Sequence, residues 1–201
     1  AELVQFWKCE GITPKACLRN LPLAAEVPGW ARGRQPEDSQ SPPAGSAPLR
    51  LLQVGSLEPR KNHAASLKAL AWMHAHQPGA IQLQLLGWPN DSRVVALVQR
   101  AIRRGCPVRW NAAADDAALR AAYATADLSL YPSLEEGFGL PVQESLWLGT
   151  PCITTAVPAL EGPEGFQGCV RLRKGTWHEL AQVLAALLNR PQQLASLRRQ
   201  V

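Results

Sequence analysis

The 201-residue sequence is poor in the features that mark membrane, secreted and metal-binding proteins. It has no run of about 20 apolar residues, which a membrane-spanning helix needs; its longest stretch without a charged residue, 69–90, is interrupted by histidine, proline and glycine. Five cysteines, an odd number without a C-x-x-C pair, disfavour a disulfide framework or a zinc ribbon and favour a reducing compartment. With one methionine, Met73, and no basic-then-apolar leader, the sequence is expected to be cut from a longer polypeptide.

Several ligand-binding patterns are also missing. Neither a Walker loop nor a G-x-G-x-x-G turn occurs, which argues against a P-loop NTPase and an ordinary dinucleotide dehydrogenase. Aromatic residues are not interleaved with basic runs as in single-strand binders, so no nucleic-acid partner is expected. His74 and His76 lie two positions apart on a predicted helix and do not share a face, so they make a poor metal pair.

The net charge of +5 is unevenly distributed. Residues 1–47 hold as many acidic as basic side chains, so the whole surplus lies in 48–201. A basic segment such as 48–201 attracts a phosphorylated ligand or an anionic membrane surface. Arg100, Arg103 and Arg104 fall at the end of a predicted helix, where cations complement the helix C-terminus.

The chain divides into two parts near residue 48. Residues 1–47 combine scattered apolar residues with a Pro-, Gly- and Ser-rich stretch, and we interpret them as the tail of a missing N-terminal domain plus a linker. From 48 to 201, short apolar runs alternate with helical patterns, which is typical of a parallel sheet wrapped by helices. The predicted fold is therefore α/β, a Rossmann-like doubly wound parallel sheet of about six strands.

The predicted strands cover 49–54, 81–86, 107–110, 127–131, 151–155 and 169–172. The predicted helices cover 63–77, 93–104, 117–125, 141–148, 177–189 and 192–199. Residues of N-cap type precede most of the helices: Asn62, Ser92, Asp115 or Asp116, and Thr176. Pro141 fits the first position of its helix.

Two segments that each join a strand to a helix carry candidate chemistry. In 54–62, Gly55 lets a ligand approach the backbone, and Arg60 and Lys61 are two cations that could hold a diphosphate. A solvated basic loop explains this segment equally well.

In the second segment, 131–144, Gly137 and Gly139 leave the backbone bare before a helix, so the amides of Phe138, Gly139 and Leu140 form an anion cradle. Glu136 and Glu144 would border one cleft at different depths, where a carboxylate suits a sugar or ribose diol.

These residues, together with Glu144-Ser145 and Gly149-Thr150-Pro151, resemble the C-terminal, nucleotide-sugar-binding half of a family 4 (group 1) GT-B glycosyltransferase. The resemblance covers about 48–201, and the Glu-x7-Glu block, 136–144, is its most specific part. The amino-acid sequence around this block is similar to that of bacterial mannosyl- and other hexosyltransferases of polysaccharide or lipopolysaccharide assembly. A GT-B-like sugar-nucleotide epimerase lacks this block.

The resemblance implies a role for each matching residue. Lys61 and Arg60 would neutralise the donor diphosphate, and Glu136 would contact sugar hydroxyls near the reacting carbon. Glu144 would accept hydrogen bonds from the two hydroxyls of the ribose diol. The remaining donor contacts would come from the amides of Phe138, Gly139 and Leu140 and from Gly55 and Gly137, the glycines that open the two loops. Gly87, Pro132 and Ser133 would lie near the base.

Two further positions belong to this expected site. Trp88, directly after Gly87, is a candidate neighbour of the base. Ser56 stands where many family members have an arginine, so either Arg60 substitutes for it or diphosphate binding is weaker.

The resemblance also implies transfer of a hexose with retention of configuration and without a bound metal or other cofactor. The acceptor, a glycan or lipid-linked glycan, would bind the missing domain, so this chain alone should not transfer sugar. We expect a cytoplasmic protein, peripheral at the inner membrane if the acceptor is lipid-linked. The alternative is a non-catalytic nucleotide-binding or scaffolding module that kept the fold.

Overall fold

The computed structural model describes residues 9–10, 32–33, 48–136, 139–155 and 167–201. Within these ranges, six strands form one sheet: β1 Leu49–Val54, β2 Ile81–Leu86, β3 Val108–Asn111, β4 Leu128–Tyr131, β5 Cys152–Thr155 and β6 Cys169–Leu172. All neighbouring strands pair in parallel, in the spatial order β3-β2-β1-β4-β5-β6. The predicted doubly wound parallel sheet is confirmed.

Helices connect the strands, as a parallel sheet requires. They are α1 His63–His76, α2 Ser92–Arg103, α3 Asp116–Thr125, α4 Leu140–Trp147, α5 Trp177–Asn189 and α6 Pro191–Arg198. A short 3-10 helix, Pro59–Lys61, precedes α1.

Each face of the sheet packs against its own helices because successive strand side chains point to opposite sides. One face, with Leu51, Leu83 and Ile153, joins α1, α2 and α5 in the largest apolar cluster. The other face packs against α3 and α4 in two smaller clusters, which include Leu52 and Tyr131. The sheet is thus buried between two helical layers, and its strand ends remain as the places where a ligand can bind.

Most predicted boundaries agree with the structure to within one residue. One cap assignment was wrong, and a second was right in position only. The side chain of Asp91, and not Ser92, caps α2 by accepting the amides of Arg93 and Val94. Asn62 occupies the N-cap position of α1 without a side-chain cap, because its amide bonds elsewhere.

Two further predictions about helix starts can be compared with the structure. Asp115 caps α3 and Thr176 caps α5, as predicted. Helix α4 begins at Leu140, which places Pro141 second rather than first; its missing N–H costs nothing there, because the first-turn amides have no partner within the helix.

The amino end of the sheet contains an ion cluster. Asp127, just before β4, accepts the backbone amide of Arg50 at 2.8 Å and its guanidinium at 3.2 Å. Arg198 of α6 donates to the same carboxylate at 2.5 Å. The cluster ties β1, β4 and the last helix together.

Only a small part of the predicted N-terminal segment, 1–47, is described. There the amide of Gly33 donates to the carbonyl of Trp147 at 2.7 Å, and the Arg32 guanidinium lies 5.6 Å from the centre of the Trp147 ring. Across the described residues, every helix is too short or too polar to cross a bilayer.

Candidate functional site

The strand order reverses between β1 and β4, which is where open parallel sheets bind ligands beyond the carboxyl ends of their strands. Both segments predicted to carry chemistry lie at this point: 55–62 follows β1, and 132–139 follows β4. The amide of Leu134 donates to the carbonyl of Arg60 at 2.8 Å, so the two segments are in direct contact.

The three predicted catalytic residues form one charged cluster. The ammonium nitrogen of Lys61 lies 2.6 Å from Oε1 of Glu136, and Arg60 reaches Oε2 of Glu136 at 3.5 Å. The Ser133 hydroxyl donates to Oε1 at 2.8 Å. The side chains of Lys61 and Glu136 are only 11% and 9% exposed, so their charges interact in a weakly screened environment.

Arg60 is shared with a second carboxylate. It pairs with Glu58 at 2.7 Å, and Ser56 donates its hydroxyl to Glu58 at 2.8 Å. This hydrogen bond from Ser56, helped by Arg60, holds the pKa of Glu58 below its ordinary value. Two cations therefore face two carboxylates, and the unliganded cluster has no net charge. Ser56 adds no positive charge, and the Arg60 guanidinium supplies the second cation of the cluster.

Asn62 joins three loops, a role that the sequence analysis missed. Its side-chain amide donates to the carbonyl of Pro132 after β4 and to that of Gly175 after β6, both at 2.9 Å. Its backbone is left-handed, with φ of 54°, a conformation that asparagine adopts more readily than most residues. The N-cap pattern located Asn62 correctly, but only the folded sheet brings its two acceptors within reach.

Thr155, at the end of β5, adds a further link by donating to the carbonyl of Ser133 at 2.6 Å.

The loop after β1 lies directly against the end of β2. Gly55 donates its amide to Leu86 at 2.9 Å, and a Cβ at Gly87 would collide with the Gly55 carbonyl. Gly87 is therefore needed for the close approach of the two backbones.

Beside this contact is an open cavity of about 490 Å³. It is lined mainly by small and apolar residues from the ends of β1, β2 and β3: Val54, Gly55, Ser56, Leu86, Gly87, Trp88, Ala112, Ala113, Ala114, Asp115 and Leu119. Trp88, the predicted base neighbour, is 67% exposed at this cavity. Pro132 and Ser133 are outside its lining: Ser133 donates to Glu136, and the Pro132 carbonyl accepts from Asn62.

Glu144 lies on α4, next to a buried tyrosine pair. Burial raises the pKa of Glu144, and the nearby Tyr123 phenol partly offsets that rise. The hydroxyls of Tyr123 and Tyr131 are 2.8 Å apart. Burial raises the pKa of both phenols, so they stay neutral. No local sequence pattern predicts this pair, because the two tyrosines come from different elements, α3 and β4.

The predicted amide cradle can be placed only in part, because Gly137 and Phe138 lie outside the described residues. Gly139 has a left-handed backbone, with φ of 71°, and occupies the N-cap position of α4. Leu140 begins the helix and is exposed.

His63 lies directly after Asn62 and is almost fully buried, with 1% of its surface exposed. Burial lowers its pKa to about 4, so the imidazole is neutral near pH 7. Within the described ranges, no three histidine, cysteine or acidic side chains come together as a group that could hold a metal ion.

Residues 48–190 match the family described as "Glycosyl transferases group 1". The chain is 34% identical over 121 residues to O-antigen chain mannosyltransferase B of Escherichia coli, a match that covers 59% of this chain and 32% of that protein. It is 30% identical over 161 residues to MMP alpha-(1->4)-mannosyltransferase of Mycolicibacterium hassiacum, covering 78% and 38%. The chain therefore spans about a third of the length of these relatives.

A third relative is the D-inositol 3-phosphate glycosyltransferase of Thermobispora bispora, 32% identical over 157 residues, covering 73% of this chain and 36% of that protein. Among solved structures, HepE of Anabaena in complex with UDP and glucose is similar, with a TM-score of 0.65 and 20% identity. That match covers 84% of this chain and 47% of that one, and at this identity it concerns the fold.

Proposed function

Because this chain belongs to the group 1 GT-B glycosyltransferases, we propose that residues 48–201 are the donor-binding domain of a retaining hexosyltransferase. The observation that carries the proposal is the cluster of Lys61, Arg60 and Glu136 at the switch point of the sheet. Residues 1–47 then belong to the end of an acceptor domain and the linker that follows it.

In this proposal the donor diphosphate takes the place that Glu136 holds in the unliganded site. Phosphate oxygens bind Lys61 and Arg60, since cations in a weakly screened site bind phosphate by charge-assisted hydrogen bonds. Glu136, released from Lys61, turns towards the hydroxyls of the sugar. The exchange keeps the Lys61 ammonium paired with an anion, which a buried ammonium requires, and gives the Glu136 carboxylate hydroxyl donors in place of Lys61.

The nucleoside extends from the diphosphate towards the cavity beside Gly55 and Gly87. The apolar lining of the cavity suits the faces of a base, and Trp88 stands at its margin. Glu144 accepts hydrogen bonds from the two ribose hydroxyls, a role for which the carboxylate form is needed. Its raised pKa makes this contact sensitive to mild acid.

The reaction breaks the bond between the anomeric carbon and the diphosphate oxygen while an acceptor hydroxyl bonds to that carbon with retention of configuration, and the hydroxyl proton passes to the departing diphosphate oxygen. Lys61, Arg60 and the amides of Gly139 and Leu140 stabilise the charge on the departing diphosphate without a metal ion. The acceptor binds the N-terminal domain, so residues 48–201 bind the donor but do not transfer the sugar alone.

The transferred sugar is a hexose, and mannose is our first candidate because two of the relatives are mannosyltransferases. The acceptor is a glycan or lipid-linked glycan of a bacterial polysaccharide. The enzyme would act in the cytoplasm, at the inner face of the membrane.

Peripheral membrane contact is supported by the exposed face of α2. Arg100, Arg103 and Arg104 are exposed and have no acidic partner among the described side chains. The exposed Leu97 lies one turn before Arg100 on the same side of the helix. Basic and apolar side chains together bind anionic lipid surfaces. Co-sedimentation with vesicles of phosphatidylglycerol should be salt-sensitive and lost on changing the three arginines to glutamine; equal binding to phosphatidylcholine would refute the contact.

Calorimetric titration with UDP, GDP and ADP, and then with their sugar conjugates, tests the donor site. We expect one nucleotide to bind selectively without added metal. Glu144→Gln should weaken this binding by roughly 1.5–3 kcal/mol, the scale of a hydrogen bond to a charged group. Glu136→Ala should keep the free nucleotide and lose the preference for its sugar conjugate.

Asp127→Asn is the matched control, since Asp127 also binds two cations but lies at the opposite end of the sheet. Equal binding by the wild type and both site variants would exclude the proposed site. Selective nucleotide binding with no effect of the sugar would favour a non-catalytic nucleotide-binding module instead.

A further inference from the structure

The two strands at one edge of the sheet bring a pair of cysteines together. Cys152 is the first residue of β5 and Cys169 is the first residue of β6, and the parallel register places them directly opposite each other. Their sulfur atoms are 3.1 Å apart, and both are free thiols. From this juxtaposition we propose that Cys152 and Cys169 are a modification site, a thiol pair that closes reversibly to a disulfide when it meets a peroxide.

The geometry needs little change to form the bond. Neighbouring strands lie about 4.8 Å apart, which is within the range of Cα separations that disulfides bridge. The sulfur atoms have to approach by about 1 Å to reach a bonding distance of about 2.05 Å. No strand has to shift its register, because the two residues already pair across the ladder.

The two sulfurs differ in access, which sets the order of events. Cys152 has no exposed surface and packs with Tyr131 and Val142, whereas Cys169 is half-buried on the edge strand. Burial also raises the pKa of Cys152, which keeps it a thiol. Cys169 is therefore the thiol that reacts with the oxidant. Cys152 is the resolving thiol, which then reacts with oxidised Cys169 to form the disulfide.

The chemistry balances with hydrogen peroxide as the oxidant. The Cys169 sulfur attacks one peroxide oxygen, the O–O bond breaks, and Cys169 becomes a sulfenic acid with loss of one water. The Cys152 sulfur then attacks the Cys169 sulfur, the S–O bond breaks, and the thiol proton leaves with the second water. Two thiols have lost two electrons and two protons, and one peroxide has become two waters.

The expected consequence concerns stability rather than donor binding. The pair is at the amino ends of β5 and β6, whereas the candidate donor site is at the carboxyl ends. Closing a loop across 17 positions restricts the unfolded chain. We expect the oxidised protein to melt roughly 5–10 °C higher than the reduced protein, with nucleotide affinity changed less than twofold.

Peptide mapping of the whole chain tests the site. No lysine or arginine lies between Arg120 and Arg171, so trypsin leaves both cysteines in one peptide, whose mass should fall by two hydrogen atoms after peroxide. Cleavage after Glu161 or Glu164 should then leave two fragments joined only by the disulfide. Dithiothreitol should restore both thiols and the lower melting temperature.

Three variants separate the outcomes. Cys106→Ser, which changes a half-buried cysteine elsewhere, should leave the linked fragments unchanged. Cys169→Ser should abolish the linked fragments. If Cys169→Ser folds poorly, Cys152→Ala replaces it and should have the same effect. A trivalent arsenical should bind the wild type and Cys106→Ser about equally and either pair variant at least tenfold more weakly. Oxidation of Cys169 to a sulfenic or mixed species while Cys152 stays a thiol, or disulfides between two chains, would overturn the proposal.

Discussion

Each end of the sheet holds a carboxylate between two cations, but in different surroundings, and at the carboxyl end Glu58 adds a second carboxylate beside Arg60. At the amino end, Asp127 binds Arg50 and Arg198 and also accepts the backbone amide of Arg50. At the carboxyl end, Glu136 binds Lys61 and Arg60 and accepts a hydroxyl from Ser133. Asp127 links β1 to the last helix, whereas Glu136 lies at the switch point of the sheet, where we propose that the donor binds.

From this difference we expect the cluster at the amino end to serve stability and, under the proposed function, the cluster at the carboxyl end to serve binding. A backbone hydrogen bond also holds the Asp127 carboxylate, so an anion that displaced it would remove the partner of the Arg50 amide. Glu136 is held by side chains alone, which an anionic ligand can match and displace. The predictions below test this contrast, from the largest expected effect to the smallest.

The largest expected effect is a loss of stability in acid, which comes from the carboxyl end of the sheet. There lies the buried histidine of the described chain, His63. Its pKa is about 4 in the fold and 6.5 unfolded, so the unfolded state binds the proton first. Stability is therefore full above pH 6.5 and falls as the pH drops towards 4, by up to about 3 kcal/mol. Urea unfolding at several pH values measures this fall. His63→Gln should flatten the profile; an unchanged slope would contradict the assignment.

Asp127→Asn should lower the free energy of unfolding by about 2 kcal/mol, because it leaves two arginines without their counter-charge while keeping the shape of the side chain. Glu136→Gln, the same chemical change at the other end, should cost less than half as much, because the new amide nitrogen can take the place of Oε2, which is contacted at 3.5 Å by the exposed Arg60. Urea denaturation of the two variants makes the comparison. Equal losses would mean that both clusters serve stability alone.

Glu136→Gln should also tighten binding of the free nucleoside diphosphate by about tenfold, or about 1.4 kcal/mol. The variant removes the internal charge that competes with the diphosphate for Lys61. Asp127→Asn, titrated in parallel, should bind as the wild type does. Weaker binding by Glu136→Gln would mean that the carboxylate supports the diphosphate contact rather than opposing it.

Arg60→Gln should have the smallest effect, a two- to fivefold loss of nucleotide affinity, because this guanidinium is 46% exposed and screened by solvent. The loss should shrink as salt is raised from 50 to about 300 mM. Arg93→Gln, an exposed arginine paired with Asp91 on α2, is the matched control and should bind normally. A salt-independent loss would place Arg60 deeper in the contact than its exposure indicates.

The sequence predicted the fold well because the strands are short apolar runs bounded by turns. The bounds of β1, β2 and β6 were predicted to the residue, since a glycine or proline lies within three residues of each end of these apolar-rich segments. The cap of α2 was less certain, because Asp91 and Ser92 are both good capping residues and only the geometry selects between them.

The site was predicted as separate segments, and their connections depend on folding. Lys61 and Glu136 were both identified, but their mutual pairing requires β1 and β4 to be neighbours. The two acceptors of Asn62, the Tyr123–Tyr131 pair and the opposition of Cys152 and Cys169 likewise depend on strand order and register. Local patterns contain no information on such long-range contacts.

The amide of Asn62 has a mechanical consequence. It couples the loops after β4 and β6 to the start of α1, so none of the three can shift alone without breaking a hydrogen bond. Backbone amides in these loops should therefore exchange with deuterium at similar rates and slow together when a ligand binds. We therefore expect the carboxyl end of this sheet to respond to the proposed donor as one unit, in a single step rather than loop by loop.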